Sequence, residues 1–260
     1  MNILVCLKMV SRSSYTDSFD TDAPAERLSG GVYDVNPADE YALETALRIK
    51  DRYGACVTVL SMSPASAEPM LRKALAMGAD QAVLICDRLF AGSDTVATSY
   101  VLAAALERLP MQDIVFCGNK AIDSETGHIG PQLAAIRGIP CLSNVVSVED
   151  YRGGELYVKR SGGKGISRYA VKLPAVFTLV NGTGMVRSPT ILGLRRSAKA
   201  EICRLTGADL GYTPLNAGPK ASGTETVRVE TMSFAHRLGV IESGEEAGAE
   251  KLFDILVQKT

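Results

Sequence analysis

The strongest constraint on the fold is a regular alternation of short apolar runs with longer amphipathic stretches, which continues to about residue 140. The apolar runs are nearly continuous, which is typical of strands buried on both faces of a parallel sheet. Strand, helix and strand at this rhythm predict parallel strands joined by right-handed crossovers. We therefore predict an α/β fold, with an open, mostly parallel sheet and helices on both faces. The predicted strands are Ile3–Leu7, Cys56–Leu60, Ala82–Cys86 and Ile114–Cys117.

The stretches between these strands carry signals for helix starts and stops. Asn36 can cap a helix that has Pro37 in its first turn and Gly54 as its stop. Further helices are predicted to end at Gly78, to open at Ser93-Asp94, and to run from Gly130-Pro131 to Gly138. On the helix that opens at Ser93-Asp94, spacing places Val96, Ala97, Tyr100, Val101 and Ala104 on the inward face.

Beyond Pro140 the alternation stops. Residues 144–148, 156–160 and 169–180 have strand character without long helices between them, so we expect a hairpin that returns to the sheet edge. From Ser188 onward glycines and prolines predict irregular chain, until a final helix with Ala249, Leu252, Phe253 and Leu256 on one stripe. We expect an α/β domain over residues 1–204. Residues 205–260 are more apolar than a disordered tail, so we expect them to be a C-terminal arm on another subunit.

Composition narrows the function. A formal net charge of -1 argues against a nucleic-acid-binding protein, which normally has a basic surplus. The six cysteines are far apart and form no C-x-x-C pair, which argues against a metal site and fits a reducing compartment. No segment approaches the roughly 18 consecutive apolar residues of a transmembrane helix. We expect a soluble, cytoplasmic protein.

The loop after the strand Ile114–Cys117 is the most informative candidate site. Gly118, Gly127 and Gly130 allow the backbone to approach a phosphate closely, and Asp123 is placed to accept from a ribose or a backbone amide. Where a strand ends and a helix begins in an open α/β sheet, free N–H groups and the helix dipole attract anionic ligands. The loop therefore predicts a nucleotide site, and an ordinary βα loop with a glycine turn is the structural alternative.

Several segments in order resemble the β subunit of electron transfer flavoproteins, over roughly residues 1–204. The resemblance implies an adenine nucleotide α-hydrolase-like fold that pairs with a larger α subunit. It also implies that the pair carries electrons through FAD between a dehydrogenase and a partner acceptor. The flavin would do the redox chemistry, so no catalytic side chain is expected. The segments are Ile3–Lys8, Asn36–Glu44, Ala74–Asp80, Phe116–Asp123 with Thr126-Gly127, and Lys172–Thr178.

Two segments, Asn36–Ala46 and Gly92–Ser99, look like the electron-bifurcating members of that family. Those members hold a second FAD that takes hydride from NADH, whereas respiratory members hold AMP in the same pocket. Hydroxyls at the start of a helix can hydrogen-bond a flavin or its pyrophosphate. A plain Ser or Asp N-cap is the alternative, but it leaves Thr95 and Thr98 unexplained. The resemblance thus implies FAD, with AMP as the alternative, NADH as donor, and an acyl-CoA dehydrogenase-type, ferredoxin or flavodoxin partner.

The resemblance also assigns individual residues. Arg187–Lys199 corresponds to the family's recognition loop, with Ile191 and Leu192 as anchors and Arg195 and Arg196 as an electrostatic rim. A solvated basic helix start is the alternative for that segment. His128 receives no acid–base role. The implied cofactor-binding residues are the Leu7 backbone, Asn36, Ser63, Asp94, Thr95, Thr98, Cys117, Gly118, Asn119, Asp123, Thr126, Gly127, His128 and Ile129.

Two departures and three rival functions remain. The family's Pro-Asp turn after the first strand is absent, and Ser161–Gly165 fails the spacing of a phosphate loop, so we predict a hairpin turn there.

The first rival is a non-bifurcating β subunit with structural AMP. The second is an adenylating ligase, which needs a Ser-Gly-Gly-x-Asp-Ser loop that this chain lacks after its first strand. The third is a universal-stress-type module, which leaves the C-terminal part of the chain unexplained.

Overall fold

The computed structural model describes residues 1–11, 33–163, 165–182, 184–225, 227 and 253. The chain divides into two compact units, Met1–Val229 and Glu230–Thr260. In the second unit Phe253 is described, and it is helical and exposed. The rest of the predicted terminal stripe lies outside the described residues.

The first unit alternates strands and helices up to α4 and then changes to consecutive strands. In chain order its elements are β1 (Asn2–Cys6), β2 (Met9–Ser11), β3 (Tyr33–Val35), α1 (Pro37–Tyr53), β4 (Cys56–Met62), α2 (Glu68–Met77), β5 (Gln81–Ile85), α3 (Thr95–Glu107), β6 (Ile114–Gly118), α4 (Ile129–Arg137), β7 (Cys141–Arg152), β8 (Glu155–Gly162), β9 (Gly165–Lys172), β10 (Ala175–Leu179), α5 (Ile191–Lys199) and β11 (Cys203–Leu205).

One nine-stranded sheet, ordered β11-β5-β4-β1-β6-β10-β7-β8-β9, forms the centre of the unit. Its strands run parallel from β11 to β7 and antiparallel from β7 to β9, which confirms the predicted mostly parallel α/β sheet. Strand β1 lies between β4 and β6. The chain therefore builds outward on one side of β1 to β5 and then crosses to its other side at β6. Strands β2 and β3 form a separate antiparallel pair.

Helices cover both faces of the sheet, as predicted. On one face α1 and α2 bury Leu43 and Leu71 against alternate strand residues such as Val5. On the other face α3 and α4 bury Val101 and Leu133 against the intervening ones, such as Leu4. Because successive strand side chains point to opposite faces and both faces are covered, the strands read as continuous apolar runs.

The inward face predicted for α3 was partly wrong. Ala97 and Val101 are buried, but Val96 and Tyr100 are 36% and 55% exposed. Positions 96 and 100 share one side of the helix and positions 97 and 101 share the next, since residues four apart are neighbours. Apolar residues surround α3 on nearly all sides, so spacing alone could not select the buried side.

The chain after Pro140 was predicted in part. The antiparallel β7, β8 and β9 confirm the hairpin, and Gly162 pairs with Gly165 at the predicted turn. The segment predicted as one strand over 169–180 is two strands, β9 and β10, separated by Leu173 and Pro174. The expected return to the sheet edge is confirmed for β9, which is an edge strand, and was wrong for β10, which lies between β6 and β7.

The prediction of irregular chain from Ser188 onward is confirmed for most of residues 206–225, but it was wrong for residues 191–199 and 203–205. Helix α5 begins after Thr190, whose hydroxyl accepts from the Gly193 N–H, and β11 extends the sheet beside β5. Leu210 and Ala217 are buried in the core around α3, so this part of the expected arm packs on its own unit.

Candidate functional site

The strand order predicts a ligand-binding crevice at the carboxyl ends of the central strands. Strands β4 and β6 lie on opposite sides of β1, so the connections that follow β1 and β6 leave the sheet in opposite directions. In open α/β sheets, ligands bind at the point where the strand order reverses in this way. Three sets of predicted site residues follow these strands directly: Leu7 after β1, Ser63 after β4, and Gly118-Asn119 at the end of β6.

Asp39, in the first turn of α1, joins two sides of this crevice. Its Oδ2 accepts from the Lys8 N–H at 2.8 Å, and its Oδ1 accepts from the Gly118 N–H at 2.8 Å. Burial raises the pKa of this carboxyl to about 6, although hydrogen bonds from Lys8, Gly118 and Asn36 act in the opposite direction. Asp39 was not among the predicted site residues. The signal for it is an acidic residue three positions after the Asn36 that opens α1.

Gly118 is needed because the backbone passes so close to α1. A Cβ at this position would lie 2.3 Å from Asp39 Oδ1 and 2.8 Å from the Ala38 Cβ, far inside van der Waals contact. The sequence predicted a close approach of Gly118 to a phosphate, whereas the close approach that requires glycine here is to the first turn of α1.

Asn36 shapes the loop after β6. It occupies the N-cap position of α1, but its side chain makes no capping hydrogen bond, so the predicted cap was wrong. Instead Nδ2 donates to the Lys120 carbonyl at 3.0 Å and Oδ1 accepts from the Ile122 N–H at 3.2 Å. The side chain is buried, and it satisfies polar backbone groups that a loop would otherwise leave unpaired.

The loop itself is fastened by local contacts. The Asn119 N–H donates to the Leu179 carbonyl at 2.7 Å, and Lys8 Nζ lies 2.7 Å from Asp123 Oδ1. Gly127 has φ 66°, in the left-handed region that favours glycine. Thr126 and His128 are exposed, and Ile129 packs against the core at the start of α4.

Three further predicted residues, Leu7, Ser63 and Cys117, lie at the strand ends and make hydrogen bonds within the protein. The Leu7 N–H donates to the Leu60 carbonyl, and Ser63 Oγ lies 2.9 Å from Ser61 Oγ. A hydrogen bond with Cys6, together with burial, raises the pKa of the Cys117 thiol well above its usual range. Cys117 is therefore a neutral thiol, and all six cysteines of the chain are free.

At the start of α3, Asp94 is bound within the chain. One carboxylate oxygen caps the helix through the Ala97 N–H at 2.9 Å, and the other accepts from the N–H groups of Gly223 and Thr224 at 2.8 and 3.0 Å. Burial alone would raise the pKa of Asp94, but these hydrogen bonds outweigh it and lower the pKa. Ser99 bonds to the Thr95 carbonyl and to Gln132.

The two threonines of this segment differ from their neighbours. The hydroxyls of Thr95 and Thr98 have no hydrogen-bond partner among the residues that the structure describes, and both side chains are half-buried. The start of α3 therefore has two hydroxyl groups without a partner among the described residues. The side chains of Asp94 and Ser99, by contrast, are already hydrogen-bonded within the chain.

The predicted docking residues lie away from the crevice, on α5. Ile191 and Leu192 are 79% and 76% exposed, and Leu194, which sequence reasoning missed, is 53% exposed. Arg195 is exposed, and Arg196 reaches the Leu75 carbonyl at 3.4 Å. An apolar surface with a basic rim therefore stands on a regular helix rather than on a loop.

Within the described ranges, no group of three or more His, Cys, Asp and Glu residues could hold a metal ion. In those same ranges no helix is long and apolar enough to cross a membrane.

The strand order defines an open α/β protein with a candidate ligand site where that order reverses. A family model described as electron transfer flavoprotein domain matches residues 29–210. The chain is similar to the electron transfer flavoprotein subunit beta of Thermoanaerobacterium thermosaccharolyticum, with 40% identity over 247 residues that cover 94% of this chain and 93% of the relative. The chain belongs to the electron transfer flavoprotein family.

Two other relatives span nearly the full length of the chain. Protein FixA of Azorhizobium caulinodans is 36% identical over 260 residues, covering 97% of this chain and 92% of the relative. The electron transfer flavoprotein subunit beta of Megasphaera elsdenii is 34% identical over an alignment of 268 residues, covering 99% of this chain and 98% of the relative. These matches confirm the family that the sequence motifs indicated.

Proposed function

We propose that this chain is the β subunit of a heterodimeric electron transfer flavoprotein and that the crevice at β1 and β6 binds an adenine nucleotide. The observation that carries the proposal is Asp39, which ties the segments after both strands to the first turn of α1. Those segments are the ones that the family resemblance assigns to the nucleotide. The names of the full-length relatives support the subunit assignment.

The chemistry of the crevice fits a nucleotide. Lys8 supplies an ammonium group beside the Asp123 carboxylate, and these two side chains suit a phosphate and a ribose. The start of α4 adds the positive end of a helix dipole. In this proposal Asn36 and Asp39 orient the backbone that contacts the ligand rather than contacting it themselves.

We further propose that the nucleotide is FAD rather than AMP. The support is the pair of hydroxyls on Thr95 and Thr98 at the start of α3, which have no hydrogen-bond partner among the described residues and would give a ligand larger than AMP additional contacts. Asp94 positions this helix start through its internal bonds. A bound flavin would supply hydride and single-electron chemistry, with NADH as the donor, and the protein would orient it and exclude competing reactions. AMP in the same crevice is the alternative.

The partners follow from the same proposal. The α subunit completes the heterodimer, and residues beyond 225 are the arm that we propose to contact it. Ile191 and Leu192 would dock an acyl-CoA dehydrogenase-type protein, with Arg195 in the rim that steers encounter. Ferredoxin or flavodoxin would be the low-potential acceptor if electrons are bifurcated.

The test is a count of nucleotides in the complex of this chain with its α subunit, after purification and denaturation. Two FAD and no AMP per heterodimer would support the flavin in the crevice, whereas one FAD and one AMP would leave a one-flavin electron carrier. One FAD with no second nucleotide would overturn the crevice as a nucleotide site.

A pair of variants locates the second flavin. We expect Thr95→Val combined with Thr98→Val to remove one FAD of two without unfolding the complex, because neither hydroxyl has a hydrogen-bond partner in the part of the chain that the structure describes. Thr58→Val is the control, since Thr58 lies on β4, where it is paired with Gln81 of β5 and lies away from the crevice. Retention of both flavins by the double variant would refute the role of α3.

A further inference from the structure

Helix α5 rests on α2 through a backbone contact that holds its apolar side chains outward. A Cβ at Gly193 would lie 2.1 Å from the Ala76 carbonyl oxygen, so the two helices approach as closely as glycine allows. With Gly193 and Ser197 buried against α2, the side chains of Ile191, Leu192 and Leu194 are left exposed. The orientation of α5 on α2 therefore determines how these side chains are presented.

Arg72 of α2 holds the far end of α5. Its Nη1 donates to the Ser197 carbonyl at 2.6 Å and to the Ala200 carbonyl at 3.2 Å. The last carbonyls of a helix lack partners within it, and a cation there also interacts favourably with the helix dipole. Glu68, one turn earlier on α2, receives Nε and Nη2 of Arg72 at 2.9 and 2.6 Å and so fixes the guanidinium.

The near end of α5 is fastened independently. Arg187 forms ion pairs with the buried Glu44 of α1 at 2.8 Å and with Asp51 at 2.8 Å. Loss of Arg72 should therefore loosen the end of α5 while the segment that leads into the helix stays in place.

We propose that Arg72, oriented by Glu68, is a positioning residue for partner docking, because it holds α5 as a preformed helix. The partner that fits is a protein with an apolar groove bordered by carboxylates, since exposed Arg195 and Lys199 stand beside the apolar side chains. A surface that is already ordered binds more tightly because less conformational freedom is lost on association. This inference rests on the docking role of α5 proposed above.

The test uses the complete complex of this chain with its α subunit and, as the probe, butyryl-CoA dehydrogenase reduced by butyryl-CoA. Electron transfer is followed while the dehydrogenase concentration varies. For Arg72→Ala we expect the KM for the dehydrogenase to rise about tenfold, which corresponds to about 1.4 kcal/mol, with kcat unchanged. Amide exchange at the end of α5 should accelerate about tenfold, the factor expected for the loss of one charged hydrogen bond.

Two variants separate positioning from general stability. Arg72→Lys keeps a donor that can reach one carbonyl and should recover part of the KM. Arg137→Ala is the matched control, because Arg137 is similarly half-exposed and pairs with Glu107 on the other face of the sheet. It should leave both KM and α5 exchange as in the wild type.

The outcomes distinguish this inference from the proposed function. If Arg72→Ala speeds exchange in α5 but leaves KM unchanged, Arg72 does not position a docking surface. Unchanged exchange in α5 would equally overturn the inference. If Ile191→Ser combined with Leu192→Ser leaves KM unchanged, the docking role of α5 itself is wrong.

Discussion

Replacement of the buried carboxylate at the crevice, Asp39→Asn, tests the physical account of the site most directly. The folded pKa of about 6 exceeds the ordinary value of 3.8, and this difference of about two units corresponds to about 3 kcal/mol of folding free energy. Because the folded state binds the proton more tightly, the contribution of Asp39 to stability is greatest below about pH 4. It falls as pH rises toward about 6 and stays low above that.

Asparagine cannot ionise, so the variant should lose this pH dependence. At neutral pH the variant avoids the free-energy cost of a buried charge. Its amide NH₂ group, however, cannot accept the hydrogen bond that the backbone N–H of Lys8 or Gly118 donates to Asp39. One unpaired buried N–H costs about 1–3 kcal/mol, which is similar in size to the cost relieved. We therefore expect the free energies of unfolding of wild type and variant to be similar at pH 7 and to diverge by about 2.4 kcal/mol at pH 4 in favour of the wild type.

The assay is urea unfolding of both proteins at half-unit steps between pH 4 and 7.5, compared as a difference at each pH so that other titrating groups cancel. Asp209→Asn is the control, because this exposed carboxylate is far from the crevice and bonds locally to Thr206. A difference between wild type and Asp39→Asn that stays constant within about 0.5 kcal/mol over this range would refute the assignment of a raised pKa.

Two further substitutions test other contacts of the site. Gly118→Ala should lower the midpoint of thermal unfolding and abolish nucleotide retention, because its Cβ would lie 2.3 Å from Asp39 Oδ1. Gly163→Ala is the control, because Gly163 has open space around it, and it should change neither quantity. Equal effects of the two variants would refute the packing argument. Asp94→Ala should cost about 1 kcal/mol through the lost cap and speed amide exchange at 222–225. Thr224→Val keeps the hydrogen bond from the Ala97 N–H to Asp94, so it should speed amide exchange at 222–225 with a smaller loss of stability. Unchanged amide exchange at 222–225 in both variants would show that Asp94 does not hold this segment.

Local signals sufficed for most of the first unit. Gly54 and Gly138 end α1 and α4 in the left-handed conformation, so each stop could be recognised from one residue and its surroundings. Continuous apolar runs identified the central strands because both of their faces are covered. The place of β10 between β6 and β7 could not be recognised in this way, since nothing in its own residues specifies its neighbours.

Helix α5 was missed because tertiary contact decides it. Pro189 and Gly193 are ordinary helix-breaking signals, yet Pro189 precedes the Thr190 cap and Gly193 is where α5 touches α2. A glycine required by close approach to a neighbour cannot be told from a glycine required by a turn until the neighbour is known.

The site shows the same limit at longer range. The family motifs indicated the loop after β6 as the site, but the Asp39 carboxylate accepts from the backbone of Lys8 and Gly118, which are 31 and 79 residues away in the chain. Asp94 was predicted to face a cofactor, whereas its second oxygen binds Gly223, which is 129 residues away. Each carboxylate has a role that depends on which backbone N–H the fold brings to it.

Helix α1 relates the crevice to the docking helix. Asp39, in its first turn, fixes the backbone around the proposed nucleotide, and Glu44, little more than a turn later, holds Arg187 ahead of α5. Both carboxylates are buried, so α1 cannot shift at one end without disturbing the contacts of the other. Electron transfer between a docked protein and a bound cofactor depends on their separation. In the proposed function α1 would keep that separation constant, because it binds both the backbone around the crevice and the segment that leads into α5.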